Sequence, residues 1–149
     1  MREKELMILL ADDDTDDCLL FKEALDELPV SVRLTTVHNG EQLMILLNEN
    51  ETQHDILFLD LNMPRKNGFD CLSEIRQNKK LDGLAVIPIS TSFEQDTVDL
   101  LYKNGAQHYI RKPNEFSQLK RLIQNGITIV AETHTAQTVK EGFVLLGES

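Results

Sequence analysis

The chain has 149 residues, the size of one domain, and 41% of them are hydrophobic, enough for a single core and too many for a disordered chain. Its net charge of −10 argues against nucleic acid as a direct partner, because the phosphate backbone repels such a surface. No apolar run approaches the length of a membrane span and no signal-peptide core follows Met1-Arg2-Glu3-Lys4-Glu5, so no membrane partner is expected and the cytoplasm is the expected location.

In chain order, the residues from Leu6 to Ala11 form a continuous apolar run, the pattern of a buried strand. Asp14 or Thr15 can cap a helix that ends near Leu28, stopped by Pro29, with Cys18, Phe21, Leu25 and Leu28 at helical spacing. Residues 32–37 are β-branched and more polar, as suits a strand at a sheet edge, and Asn39-Gly40 breaks them off. A short helix over 41–48 turns Leu43, Leu46 and Leu47 inward. The run Ile56-Leu57-Phe58-Leu59 is a second strand buried on both faces, and it leads straight into Asp60. Gly68 opens a helix carrying Leu72 and Ile75. A fourth strand is predicted over 86–89, a helix over 94–104 with Gly105 as its stop, a short fifth strand over 108–110, and a last helix over 115–131. Cys18 and Cys71 lack metal-ligand or disulfide spacing and are read as small core residues. The four histidines share no spacing and are given no role.

Strands alternating with helices imply βαβ units, hence an α/β fold with a parallel sheet covered on both faces. Residues 1–131 are expected to form this domain. Residues 132–149 read as a short polar tail with one apolar patch, Phe143-Val144-Leu145-Leu146, too short for an output domain. Pro88 falls inside the fourth strand, where its missing N–H predicts either a late start or a bulge.

In an open parallel sheet, ligands bind beyond the carboxyl ends of the strands. The first strand ends in Asp12-Asp13, the third in Asp60, the fourth in Ser90, and Lys112-Pro113 follows the fifth. Carboxylates brought together repel unless a cation sits among them, and hard oxygen donors with room for water suit Mg²⁺. A cation, a lysine and a hydroxyl around one carboxylate make a phosphoryl-binding site, with Asp60 as candidate nucleophile. The run Asp12-Asp13-Asp14 is one acid longer than needed; counting from the strand favours Asp12 and Asp13. Asp14, Asp16 and Asp17 are read as first-turn acids favoured by the helix dipole.

Asp12-Asp13, Asp60 followed by Asn62-Met63-Pro64 and Gly68, Ser90, and Tyr109-Ile110-Arg111-Lys112-Pro113 closely resemble the receiver domain of two-component response regulators. The spacing of Asp60, Ser90 and Lys112 matches as well. The resemblance implies a flavodoxin-like, doubly wound sheet of five parallel strands in the order 2-1-3-4-5. It implies phosphoryl transfer to Asp60 from a sensor histidine kinase or histidine phosphotransfer protein. It assigns Mg²⁺ to Asp13, Asp60 and the backbone carbonyl of Asn62, with Asp12 acting through water. Lys112 would pair with the phosphoryl group, Ser90 would swing toward it, and Tyr109 would turn inward behind it. That switch would alter the surface of the fourth helix, fifth strand and fifth helix, signalling to a downstream protein. Pro113 would be cis, and Asn62 and Ser92 would tune acyl-phosphate hydrolysis. A homodimer through the same surface, aided by the apolar patch in the tail, is a further expectation. The resemblance makes the chain a signalling domain with self-phosphorylating and self-dephosphorylating chemistry only. The competing readings are an Asp-nucleophile, Mg²⁺-dependent phosphatase of the haloacid-dehalogenase type, which wants an acid where Asn62 stands, and a flavin binder, whose phosphate the Asp12–Asp17 acids would repel.

Overall fold

A computed structural model describes residues 5–49, 54–91, 94–133 and 143–145. Six parallel strands form one sheet in the order β2-β1-β3-β4-β5-β6, with β1 at Leu6–Ala11, β2 at Val32–Val37, β3 at Ile56–Asp60, β4 at Ala85–Ser90, β5 at Tyr109–Arg111 and β6 at Val144–Leu145. The connecting helices are α1 (Thr15–Asp26), α2 (Gly40–Glu49), α3 (Gly68–Gln77), α4 (Gln95–Lys103) and α5 (Phe116–Thr133), with one 3₁₀ turn at Lys79–Leu81.

The continuous apolar runs are strands buried on both faces, because successive side chains of a strand point to opposite sides. Leu9, Leu57, Leu59 and Val86 pack with α2, α3 and α4, whereas Ile8, Leu10, Phe58 and Ile87 pack with α1 and α5. Phe21 of α1 meets Phe58 of β3 edge-on at 4.9 Å. The β2–β1–β3 order puts β1 and β3 side by side at the centre, so Asp12 and Asp60 leave the sheet on neighbouring strands.

Two expectations are corrected. The sheet has six strands rather than five. The apolar patch in the tail supplies the extra one: Val144 pairs with Tyr109 and Leu145 with Ile110, while Phe143 is completely buried beside Tyr102 and His108. The patch expected to be free for a dimer contact is thus part of the chain's own sheet, where burying a Phe side chain is worth about 2 kcal/mol. Leu146 lies outside the described residues.

Pro88 neither delays β4 nor bulges it: the strand runs unbroken from Ala85 to Ser90, with Leu59 opposite Pro88. The carbonyls of Val86 and Ser90 accept from Gln107 and Lys112, so even-numbered residues of β4 turn toward β5. Pro88 therefore aims its missing N–H toward a partner strand that starts only at Tyr109 and pairs with β4 only at Ile89 and Ser90. The proline lies between the bonds from Gln107 and Lys112, just ahead of the register that pairs β4 with β5 at Ile89 and Ser90.

Candidate functional site

Asp12 and Asp13 leave β1 as the chain turns into α1. The Asp14 side chain caps that helix by accepting from the N–H groups of Asp16 (2.9 Å) and Asp17 (3.1 Å). Asp14 is thereby committed to the helix, and Asp12 and Asp13 lie ahead of it in the turn that leaves β1. Asp12 is buried and its Oδ1 accepts the Asp14 N–H at 2.9 Å. Its backbone carbonyl lies 3.2 Å from the His38 Nδ1 and 3.5 Å from the Cys18 Sγ, contacts that spacing along the sequence did not reveal.

Asp60 closes β3 with only 6% of its surface exposed, and its Oδ1 accepts the Asn62 N–H at 3.1 Å. Gly68 lets α3 start against this turn: a Cβ there would lie 2.7 Å from the Asp60 carbonyl oxygen and 2.8 Å from the Leu61 Cα, too close for any side chain. Arg65, between them, takes a left-handed φ of 69°, and the Lys66 N–H closes back onto the Pro64 carbonyl at 2.7 Å. Such a three-residue turn is strained for a non-glycine residue.

Carboxylate oxygens of Asp12, Asp13 and Asp60 all lie within 4.8 Å of one another. Two of the three acids are buried and Asp13 is exposed, so the group opens to solvent on one side. Burial, reinforced by Asp12 and Asp13, pushes the Asp60 carboxyl up to about 6 against the pull of the Asn62 N–H and Lys112. Burial likewise raises Asp12, with Asp17 adding to the rise, while the Asp14 N–H and Lys112 oppose it. Crowded acids held above their ordinary range are the donor set whose repulsion a divalent cation relieves, and three oxygen donors with open solvent fit Mg²⁺.

Ser90, at the end of β4, is buried; its Oγ accepts from the Asn62 Nδ2 at 3.4 Å and shares a hydrogen bond with the Tyr109 hydroxyl. Tyr109 is completely buried. Lys112 reaches the site from beyond β5, its N–H donating to the Ser90 carbonyl at 2.8 Å. Its ammonium pairs with Asp17 at 2.8 Å and Asp12 at 3.4 Å, and no ion pair joins it to Asp60 among the described residues. Burial alone would lower the Lys112 pKa, but the Asp17 hydrogen bond and the charges of Asp12 and Asp60 outweigh it and hold the ammonium above its usual range. Asp17 therefore differs from the first-turn acid expected of it: it has a specific partner ninety-five residues away. Pro113 differs too. No cis peptide bond occurs among the described residues, so the Lys112–Pro113 bond is trans. That isomer is intrinsically favoured by about 0.5–1 kcal/mol, and in it Lys112 already meets both its backbone and its carboxylate partners. Ser92 lies outside the described residues.

The response regulator receiver domain family matches residues 8–124. The chain belongs to that family. It is 30% identical over 134 residues to the response regulator Rcp1 of Synechocystis, covering 87% of this chain and 91% of Rcp1. Among solved structures, the phosphorylated cyanobacterial phytochrome response regulator RcpA is 32% identical with a TM-score of 0.77, the match spanning 85% of this chain and 94% of that one. The Mn²⁺-bound form of Rcp1 superposes with the same TM-score at 29% identity, spanning 86% of this chain and 96% of that one. The receiver is thus a two-component signalling domain with the flavodoxin-like architecture, and receivers interact with histidine kinases or phosphotransfer proteins. Its Asp12–Asp13–Asp60 group fits the divalent-metal site of the family, whose ion is Mg²⁺. Nothing supports the haloacid-dehalogenase-type phosphatase. No helix among the described residues is long and apolar enough to cross a membrane.

Proposed function

We propose that this receiver accepts a phosphoryl group on Asp60 from the phosphohistidine of a sensor kinase or phosphotransfer protein. The observation that carries the reading is the convergence of the Asp12, Asp13 and Asp60 carboxylates within 4.8 Å, beside the Lys112 ammonium. An Asp60 carboxylate oxygen forms the new P–O bond as the P–N bond of the phosphohistidine breaks, and the departing imidazole nitrogen takes a proton from solvent. The Asn62 N–H fixes the plane of the carboxylate through Oδ1. With a pKa near 6, Asp60 is mostly ionised at neutral pH and can act as nucleophile. Asp13, Asp60 and the Asn62 carbonyl would hold Mg²⁺, with Asp12 behind them. A bound Mg²⁺ supplies positive charge against the phosphoryl oxygens. Lys112 would supply a second positive charge and Ser90 a hydrogen bond.

Ser90 and Tyr109 would pass the change outward, since the Tyr109 hydroxyl is bonded to Ser90 and its backbone belongs to β5. The surface of α4, β5 and α5 would then be read by a downstream protein. A homodimer through that surface would have to form with β6 in place on the edge of β5, leaving Leu100, exposed on α4, as its apolar anchor. Self-phosphorylation from small phosphodonors and self-dephosphorylation belong to the same reading.

The test is incubation with Mg²⁺ and acetyl phosphate followed by intact-mass measurement. One phosphoryl group should be gained by the wild type and none by Asp60→Asn. Labelling that survives the substitution would overturn the assignment.

A further inference from the structure

The Lys112 ammonium has a stronger partner than the site it is meant to serve. Asp17 accepts it at 2.8 Å and Asp12 at 3.4 Å, and among the described residues no ion pair links it to Asp60. Asp17 is not loosely placed. Its N–H is tied to the Asp14 cap, which fixes the first turn of α1 and with it the origin of the Asp17 side chain. The Asp17 carboxylate is 37% exposed and the Lys112 side chain 20% exposed, so the pair is only partly desolvated and can be broken at modest cost. The Lys112 side chain also borders a cavity lined by Asp12, Asp17, Leu20, Phe21 and Pro113, so it is not packed tightly on the α1 side.

We propose that Asp17 is a positioning residue that competes with the Asp60 phosphoryl group for Lys112. The inference rests on the reading of Asp60 as phosphoacceptor. A phosphorylated Asp60 presents a dianion to the same ammonium, and an ammonium bonded to Asp17 must lengthen or give up that bond to meet it. Asp17 then sets how strongly the phosphorylated form is favoured, by taxing the step in which Lys112 is recruited. Charge alone would make any first-turn acid do this weakly; the short Asp17 bond makes the effect specific. Asp16, the neighbouring acid in the same turn, is exposed and serves as the control for general charge.

The probe is beryllofluoride with Mg²⁺, titrated by ¹⁹F NMR into the full chain. Asp17→Asn should bind it about three- to fivefold more tightly than Asp16→Asn, the range expected of a partly exposed ion pair. Asp17→Glu, which keeps the carboxylate, should return toward wild type. The gain should vanish when Asp17→Asn is introduced into a Lys112→Ala background, a result a merely structural contact between α1 and the β5–α5 loop would not give. Equal constants for Asp17→Asn and Asp16→Asn, weaker binding by Asp17→Asn, or a gain that persists without Lys112 would overturn the role of Asp17 while leaving Asp60 intact. Failure of the wild type itself to bind beryllofluoride would instead sink the reading of Asp60, and the competition with it.

Discussion

Asp60 shows how a single side chain carries two opposed demands. As the proposed nucleophile it must be held rigidly enough to attack in one geometry, and it ends a strand whose every residue is buried. Burial in turn disfavours its charge and lifts its pKa from 3.8 to about 6. The native chain therefore keeps a proton on Asp60 between about pH 4 and 6 that the unfolded chain has lost. Stability from this group is present below pH 4 and is lost as pH rises through about 6, by an amount on the order of 2–3 kcal/mol. Asp60→Asn has no such proton to lose. In the absence of divalent cations it should be more stable than wild type at pH 7, by urea denaturation, with the difference closing toward pH 4. A gap that stays constant from pH 4 to 7 would show that Asp60 does not titrate in this range. At this scale the sequence was informative where a residue type is costly without a reason. Asp60 after four apolar residues and Lys112 before Pro113 both stood out. Asp17 did not, because an acid in a first helical turn already has an ordinary explanation, and its partner lies ninety-five residues away.

At the level of elements, β1 to β5 and α1 to α5 were legible because each carries its own period: unbroken apolar runs for the doubly buried strands and three-to-four spacing for the helices. β6 was not legible. It pairs through only two residues, Val144 and Leu145, and an apolar patch after a polar stretch reads equally well as a contact for another molecule. What decides between these is the fit of Phe143, which is completely buried, meets the Tyr102 ring edge-on at 5.3 Å, and offers its carbonyl to the Tyr109 N–H at 3.0 Å. Phe143→Ala should destabilise the chain by about 3–4 kcal/mol in urea denaturation, the usual cost of emptying a buried aromatic site. A loss below about 1 kcal/mol would mean that β6 is only loosely attached. Pro88 was legible as an anomaly but not in its resolution, since the direction its missing N–H faces depends on where the neighbouring strand begins.

For the molecule as a whole, a net charge of −10 with three acids gathered at one edge means that folding works against self-repulsion which a bound cation would offset. Mg²⁺ at ten times its dissociation constant should add about 1.4 kcal/mol of stability, or about 4 °C in Tm for a chain of this size. NaCl at matched ionic strength screens the whole surface and should give less, and Asp13→Asn should remove most of the difference between the two salts. Identical shifts from Mg²⁺ and NaCl would count against a specific site. The position of β6 has one more effect, on the order in which the chain is made. Tyr109 lies on a strand whose outer neighbour begins at Val144, so on the ribosome its edge stands bare while β1 to β4 can already pair. The part of the sheet nearest the proposed switch is then the last to be completed during synthesis, and a chain stalled before Phe143 would carry its acidic site whole but its β5 edge open.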